Sequence, residues 1–429
     1  MDSNPLKVGI IGLGTVGLGV IDFLKKNKST ITQKAGREIK ISGISAKTKN
    51  KKRELDVSKF KWFSDPLALS NDDDTDVVVE LIGGEDEPAK SLIENSLLNR
   101  KHVVTANKAL IAHHGHYLAL LAEEQQVSLN FEAAVAGGIP IVKTLKESLC
   151  GNQISRIYGV INGTCNYILT QMENDEQEYS KIFKEAQDLG FVEKDPSLDV
   201  GGIDSAHKIS ILASLAFGSR INFDNVITTG IESIDLIDIN NANAMGYRIK
   251  LLGLASESES GVSQEVEPCL VPKESLFGKL EGGTNIVMVE GNFVGHTHYI
   301  GPGAGAGPTA SSVVSDLIDI ARGNIMPPFG QKTNQLNVSL HAVEDLFSSF
   351  YLRFLLTDKP GTLAKLAGIL GKHDISINRM RQMYHKDENA PVLIVTHPTK
   401  KDLVISAIEE VSKLEICKNR PVYIKIVDL

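Results

Sequence analysis

Cysteine is scarce. Cys150, Cys165, Cys269 and Cys417 are the only four among 429 residues, and no two form a C-x-x-C pair. That spacing argues against a disulfide framework or a cysteine-built zinc module and fits reduced thiols in the cytoplasm. An excess of basic charge is also missing. Lysine and arginine total 45 against 53 acids, for a net charge of −8, and the lysines are scattered, so nucleic acid is not an expected partner. No apolar run reaches the roughly 18 residues of a membrane span, and the first residues do not read as a signal peptide. The chain is therefore expected to avoid membranes and to work in the cytoplasm. His113-His114-Gly115-His116 has no carboxylate or cysteine beside it in sequence and reads as a solvated turn at a helix start rather than a metal site. With 42% hydrophobic and 23% charged residues, the composition is that of a globular protein long enough for two or three domains.

What is present begins at residue 7. Lys7-Val8-Gly9-Ile10-Ile11 reads as a short buried strand and runs into Gly12-Leu13-Gly14-Thr15-Val16-Gly17, followed by a helix-compatible apolar stretch. In this turn Gly12 allows the tight bend, Gly14 lets a pyrophosphate approach the backbone, and Gly17 lets the helix pack on the strand. Free N–H groups and the helix dipole then face the phosphates. Further strands are expected at 40–46, 76–82, 103–104 and 128–131, alternating with helices at 89–99 and 109–125, as in a doubly wound α/β domain. The second strand exits into Ser45-Ala46-Lys47-Thr48-Lys49-Asn50-Lys51-Lys52-Arg53, with no acid to meet a ribose 2′-hydroxyl. That tip suits an adenosine 2′-phosphate, with Lys47 nearest, or is a solvated lysine loop. From about 136 strand-like segments dominate (154–160, 226–234, 264–271, 285–299), with a long helix near 203–217. Gly301–Pro308 is too rich in glycine for a strand interior or a helix, and a helix at 309–322 is expected to rejoin the first domain. The last eighty or so residues read as a separate βαββαβ unit. The expected division is 1–135 plus 305–335 for the nucleotide-binding domain, 136–304 for an inserted catalytic and dimerisation domain, and 349–429 for the C-terminal unit.

Chemistry concentrates in a few stretches. Lys108 closes Val104-Thr105-Ala106-Asn107-Lys108 at the C-terminal end of a strand, where doubly wound sheets hold their ligands. Asp204 and Lys208 are four apart with the acid first, a favourable helical ion pair. The helix they begin continues apolar nearly all round, so the pair is expected to line a cleft rather than face solvent. Glu193, Asp195 and Asp199 crowd the loop before it, and carboxylates beside lysines suit a zwitterionic amino-acid substrate. His207 reads as a packing residue. Asn162-Gly163-Thr164-Cys165-Asn166-Tyr167 is a strand-to-helix turn that can hold a carboxylate or cap the helix. Cys165 has no base near it in sequence and is not a candidate nucleophile.

Taken together, these segments resemble homoserine dehydrogenases of the monofunctional type with a C-terminal ACT domain. The resemblance rests on Gly12–Gly17, Val79-Glu80-Leu81-Ile82-Gly83-Gly84, Thr105-Ala106-Asn107-Lys108 and Asn162–Tyr167. It continues through Leu198-Asp199-Val200 with Gly202-Ile203-Asp204, Ala206-His207-Lys208, and Gly303-Ala304-Gly305 with Pro308-Thr309-Ala310-Ser311. It implies a Rossmann domain, an inserted α+β domain and a ferredoxin-like ACT domain. It also implies reversible reduction of L-aspartate 4-semialdehyde to L-homoserine with NADP(H), or NAD(H). On matching positions it assigns Lys208 as general acid/base, Lys108 as the second active-site lysine and Asp204 to the carboxylates of the substrate pocket, where that acid can also orient Lys208. Glu193, Asp199 and Thr164 fall to the substrate, and Gly12, Gly14, Thr15, Val16, Gly17, Lys47, Lys108 and Gly303 to the cofactor. A monovalent cation, usually sodium, is implied at Glu132, Val135, Gly137 and Ile139, largely through backbone carbonyls. An amino-acid effector, threonine by expectation, and a homodimer or homotetramer follow from the ACT resemblance. Two positions depart: Gly201 stands where many relatives carry a carboxylate, and Lys47 where many carry arginine, whose planar fork lysine lacks.

Overall fold

A computed structural model describes residues 4–188, 196–338, 347–383 and 388–427. Six strands, β1 (Leu6–Ile11), β2 (Ile39–Ser45), β3 (Trp62–Phe63), β4 (Val77–Glu80), β5 (His102–Thr105) and β6 (Leu129–Asn130), form one sheet in the order β3-β2-β1-β4-β5-β6. Every pairing in it is parallel. Strands covered on both faces need continuous β-branched runs, and Val8, Ile10, Val77, Val78, Val79, Val103 and Val104 are all fully buried. Each such side chain contributes about 1.5–3 kcal/mol relative to exposure. The strand order is the Rossmann order, with its switch point between β1 and β4.

The chain leaves this domain after β6 and returns as helix Ala306–Ala321, which packs on helix Thr15–Lys26 through Val313, Val314 and Leu317 against Val20, Ile21 and Leu24. Between departure and return lie β7 (Ile154–Val160), β8 (Ile227–Thr228), β9 (Tyr247–Ser258), β10 (Gly261–Pro272), β11 (Thr284–Gly291) and β12 (Gly295–Pro302), with helices Gly163–Asp175, Ile203–Phe217 and Leu236–Ala244 packed on the sheet. Three expectations change here. The twelve-residue β9 was not anticipated. The strand expected over 226–234 shrinks to two residues, and the glycine-rich run is mostly ordered, with Gly301 and Pro302 ending β12 and Ala306–Pro308 opening the returning helix. Proline is tolerated in a first helical turn because the missing N–H has no partner there.

The C-terminal unit supplies β13 (Ser349–Thr357), β14 (Ile377–Gln382), β15 (Asn389–Thr396) and β16 (Val422–Ile426), in the order β16-β13-β15-β14, with helices Thr362–Lys372 and Lys401–Ser412 on one face. Alternation along β13 sends Phe350, Leu352, Phe354 and Leu356 to those helices, and Tyr351 and Arg353 to the opposite face. The unit does not stand apart from the middle domain. β16 pairs in parallel with β10, through Cys269↔Lys425 and Leu270↔Ile426, so one ten-stranded sheet crosses the junction. Two ionic groups cross there as well. Tyr351 Oη and Arg353 Nε each bond Asp238 at 2.8 Å. Lys401 Nζ lies 3.1 Å from Glu265 and 2.8 Å from Glu267. A pairing between segments some 150 residues apart has no local sequence signature.

Candidate active site

Helix Ile203–Phe217 begins after Gly202, whose φ of +87° sets the turn, and Asp204 lies in its first turn with Lys208 one turn further on. Lys208 Nζ donates to Asp204 Oδ2 and to the carbonyl of Ile161, both at 2.7 Å. Lys108, first residue of helix Lys108–Gln125, approaches from the nucleotide-binding side and places Nζ 3.0 Å from Asp204 Oδ1. Each ammonium thus engages one oxygen of the same carboxylate. Burial alone would raise the pKa of Asp204, but Lys208 and Lys108 overcome it and hold the carboxyl well below its usual range. Asn162 fixes the arrangement from the third side. Its Nδ2 reaches Asp199 at 3.1 Å and Asp204 at 3.0 Å, while its Oδ1 caps helix Gly163–Asp175 through the Cys165 N–H at 2.8 Å. The turn therefore caps the helix and orients both acids.

Lys108, Asp199, Asp204 and His207 line a cavity of ≈ 570 Å³ whose opposite wall is Ile82-Gly83-Gly84-Glu85, the loop after β4. That loop is shaped by a buried carboxylate. Glu80 accepts the N–H groups of Ile82 at 2.7 Å and Gly83 at 3.1 Å and the Thr105 hydroxyl at 2.6 Å. Asn107 then caps the Lys108 helix through Leu110 N–H at 3.1 Å and donates to Gly84 O at 2.7 Å. The cavity sits at the carboxyl ends of β4 and β5, beside the Gly12–Gly17 turn. Gly12 has φ +99° there, and a Cβ on Gly17 would lie 1.9 Å from Gly12 O, so strand and helix meet with no room for a side chain. Around Gly14 a Cβ would meet nothing within 4 Å, which leaves the helix N-terminus open to a pyrophosphate.

Residues 12–132 match the profile described as "Homoserine dehydrogenase, NAD binding domain", residues 140–318 that of "Homoserine dehydrogenase", and residues 350–415 that of the ACT domain. A homoserine dehydrogenase of Pseudomonas aeruginosa is 42% identical over 435 residues, covering 99% of this chain and 100% of that one. The chain belongs to the homoserine dehydrogenase family. The crystal structure of a homoserine dehydrogenase from Thiobacillus denitrificans superposes with a TM-score of 0.93 at 39% identity, covering 99% of both chains. A hyperthermophilic archaeal homoserine dehydrogenase in complex with NADPH gives a TM-score of 0.63 at 26% identity, covering 74% of this chain and 97% of that one. The activity is accordingly that of an oxidoreductase interconverting L-homoserine and L-aspartate 4-semialdehyde with a nicotinamide cofactor.

Against the family pattern, Lys108, Asp199, Asp204 and Lys208 come together, and Thr164 is half-buried in the first turn of helix Gly163–Asp175. Glu193 and Asp195 lie outside the described residues. Thr15 and Val16 open helix Thr15–Lys26, and Lys47 is exposed just beyond β2. The basic loop around it is organised: Arg53 donates to the carbonyls of Thr48, Lys49 and Lys51 and lies over the Trp62 ring. The Glu132–Ile139 segment is almost wholly buried and curled by left-handed Ala136 (φ +54°) and Gly137 (φ +47°). It packs backbone to backbone on Gly303, and Ser312 Oγ donates to Gly137 O at 2.6 Å. The Glu132 side chain is committed to the N–H groups of Val142 and Lys143, at 3.0 and 2.7 Å, with its pKa pushed up to about 8 by burial and Asp316. Cys165 is buried and its thiol pKa raised by that burial, as suits a packing residue.

Glu80, Thr105 and Asn107 are not among the side chains that the sequence singles out as functional, whereas Asn162 belongs to the turn expected to hold a carboxylate or cap the helix. Glu80 carried a signal, since a carboxylate closing a run of buried β-branched residues needs partners. The histidine run belongs to helix Lys108–Gln125 rather than to a turn, and has carboxylates beside it after all: His113 Nε2 lies 3.4 Å from Glu85 and His114 Nε2 3.0 Å from Asp86. His207 does pack, stacking on Phe223 at 4.5 Å, with its pKa lowered to about 4 by burial and His113.

Proposed function

We propose that Lys208 is the general acid/base of the reaction, that Lys108 steadies the reacting oxygen, and that Asp204 positions both. The observation that supports this reading is the single Asp204 carboxylate shared by two ammonium groups, with Lys108 and Asp204 at the wall of the cavity at the carboxyl ends of β4 and β5. Bound in that crevice, a reduced nicotinamide supplies the hydride that converts the aldehyde to an alcohol. As the aldehyde oxygen gains negative charge, an ammonium donor stabilises it and gives up the proton. In the reverse direction the same amine takes the hydroxyl proton. Asp204, which lines the cavity with Lys108, holds Lys208 directly behind that wall, and Ile161 O fixes a second hydrogen of Lys208. Asp199 and Thr164 are assigned to the substrate's polar groups, and Glu193 to its ammonium.

NADP(H) is the proposed cofactor, with Lys47 on the adenosine 2′-phosphate. With aspartate semialdehyde as substrate, Lys47→Ala is expected to raise KM for NADPH about tenfold and leave KM for NADH unchanged, the loss of about one charge-assisted contact. Equal effects on both cofactors would return Lys47 to the role of a solvated lysine. The main-chain oxygens of Glu132, Val135, Gly137 and Ile139 are the proposed hold on a monovalent cation, sodium in the first place. No step of the reaction is assigned to it.

Threonine is the proposed effector of the ACT unit, where a cavity of ≈ 470 Å³ opens beside Asp358-Lys359-Pro360-Gly361. Among the described residues the outer edge of β14 has no partner strand, which favours assembly into a homodimer or homotetramer. Among the described residues no helix is long and apolar enough to cross a membrane, and a cytoplasmic location is proposed with the rest. Adding threonine to the full chain is expected to slow semialdehyde reduction and to alter particle size in sedimentation. Unchanged rate and size would retire threonine as the effector.

A further inference from the structure

Glu85, His113 and His207 come from three separate parts of the chain: the loop after β4, helix Lys108–Gln125 and helix Ile203–Phe217. One ligand atom from each lies within 4.8 Å of the other two. His113 Nε2 and Glu85 Oε2 are already 3.4 Å apart, the separation of two donors on a tetrahedral zinc with bonds of about 2.0–2.1 Å. The outer bound of 4.8 Å exceeds the separation of two such donors by about 1.4 Å, within reach of side-chain movement. His207 is 6% exposed, and its Nε2 is buried with no hydrogen-bond partner among the described residues. A buried ring nitrogen without a partner is uncommon enough to need a reason. Stacking on Phe223 holds the ring plane, and His113 meets that ring edge-on at 4.7 Å, so both imidazoles are braced by one aromatic.

We infer that Glu85, His113 and His207 form a site for a borderline transition-metal cation of the Zn2+ class. Two imidazoles and one carboxylate, with a fourth position left open, select zinc, cobalt or nickel over magnesium or calcium, which take oxygen donors. The alternating pair His114–Asp86 lies next along the same two segments and steadies both. The site is distinct in donors and place from the main-chain segment Glu132–Ile139. Its consequence is mechanical. Glu85 and His113 belong to the nucleotide-binding domain and His207 to the catalytic helix, while Glu85 and His207 both line the Lys108–Asp204 cavity. An ion bound there staples the two walls of that cavity together and hinders substrate passage.

The test uses the full chain stripped of metal with a chelator and then titrated with Zn2+ or Co2+. One zinc ion per chain is expected to bind by calorimetry, and Co2+ is expected to give the visible bands of a four-coordinate ion without a near-ultraviolet thiolate band. His113→Ala and Glu85→Gln are each expected to weaken zinc binding at least about tenfold, the smallest loss found for partners one shell further out. In metal-free buffer His113→Ala should turn over as the unaltered chain does, and zinc should slow only the unaltered chain. No binding to the unaltered chain overturns the site. So does full affinity in both variants, a thiolate band pointing to Cys150 or Cys417, or equal zinc inhibition of the unaltered chain and His113→Ala.

Discussion

Lys208→Ala is expected to lower kcat at least about a hundredfold, the lower end for loss of a positioned proton donor, while KM for the nicotinamide cofactor stays near that of the unaltered chain. A hundredfold corresponds to about 2.7 kcal/mol of transition-state stabilisation. The ammonium sits 2.7 Å from both Asp204 and Ile161 O, so its removal deletes the donor without touching the Gly12–Gly17 turn. Lys108 still neutralises Asp204 from the other oxygen, which keeps the carboxylate from being left alone. Lys208→Arg separates the two parts of the role. A guanidinium keeps the charge but does not give up its proton, so it should not restore the rate. Turnover close to that of the unaltered chain in Lys208→Ala, with the fold intact by circular dichroism, would take this lysine out of the reaction.

Lys401→Met is expected to cost about 3–5 kcal/mol of stability at pH 8, the usual penalty for removing one partner of a buried ionic group. Lys401 is the cation 3.1 and 2.8 Å from the buried Glu265 and Glu267, with Lys425 contributing further positive charge. Burial and the neighbouring Glu265 push the Glu267 pKa up to about 7, although Lys401 pulls the other way. The folded chain therefore binds more protons than the unfolded chain between about pH 4.5 and 7, and this group's contribution to stability falls as pH rises through that window. Removing Lys401 leaves two carboxylates side by side, so the deficit should be larger at pH 8 than at pH 6. Chemical denaturation at the two pH values measures it. Equal midpoints for the variant and the unaltered chain at pH 8 would mean that the cluster does not hold the junction together.

The readable parts of the sequence were those whose signal is local. The Asp204–Lys208 spacing, the glycine turn and the βαββαβ order each sit within a short stretch and survive in the fold almost residue for residue. β9 escaped because Ile249-Lys250-Leu251-Leu252-Gly253-Leu254-Ala255 is an apolar run whose period suits a buried helix as well as a strand. The approach of Lys108 to Asp204 joins residues 96 positions apart. Family resemblance brought the two together on one list, but only tertiary packing shows that they share one carboxylate. The histidine run is the opposite case. Its neighbours, Glu85, Asp86 and His207, are remote in sequence, so a local reading sees none of them. Glu80 and Asn107 were passed over because their task is to hold a loop, and holding leaves little mark in composition.

The excursion of the chain out of the first domain and back has a consequence for motion. The way out, near Gly137, and the way home, near Gly303, press against each other. A single tether would allow swivelling in every direction. Two crossings in contact resist twist more than either would alone, which favours a fixed approach of Lys108 to one oxygen of Asp204.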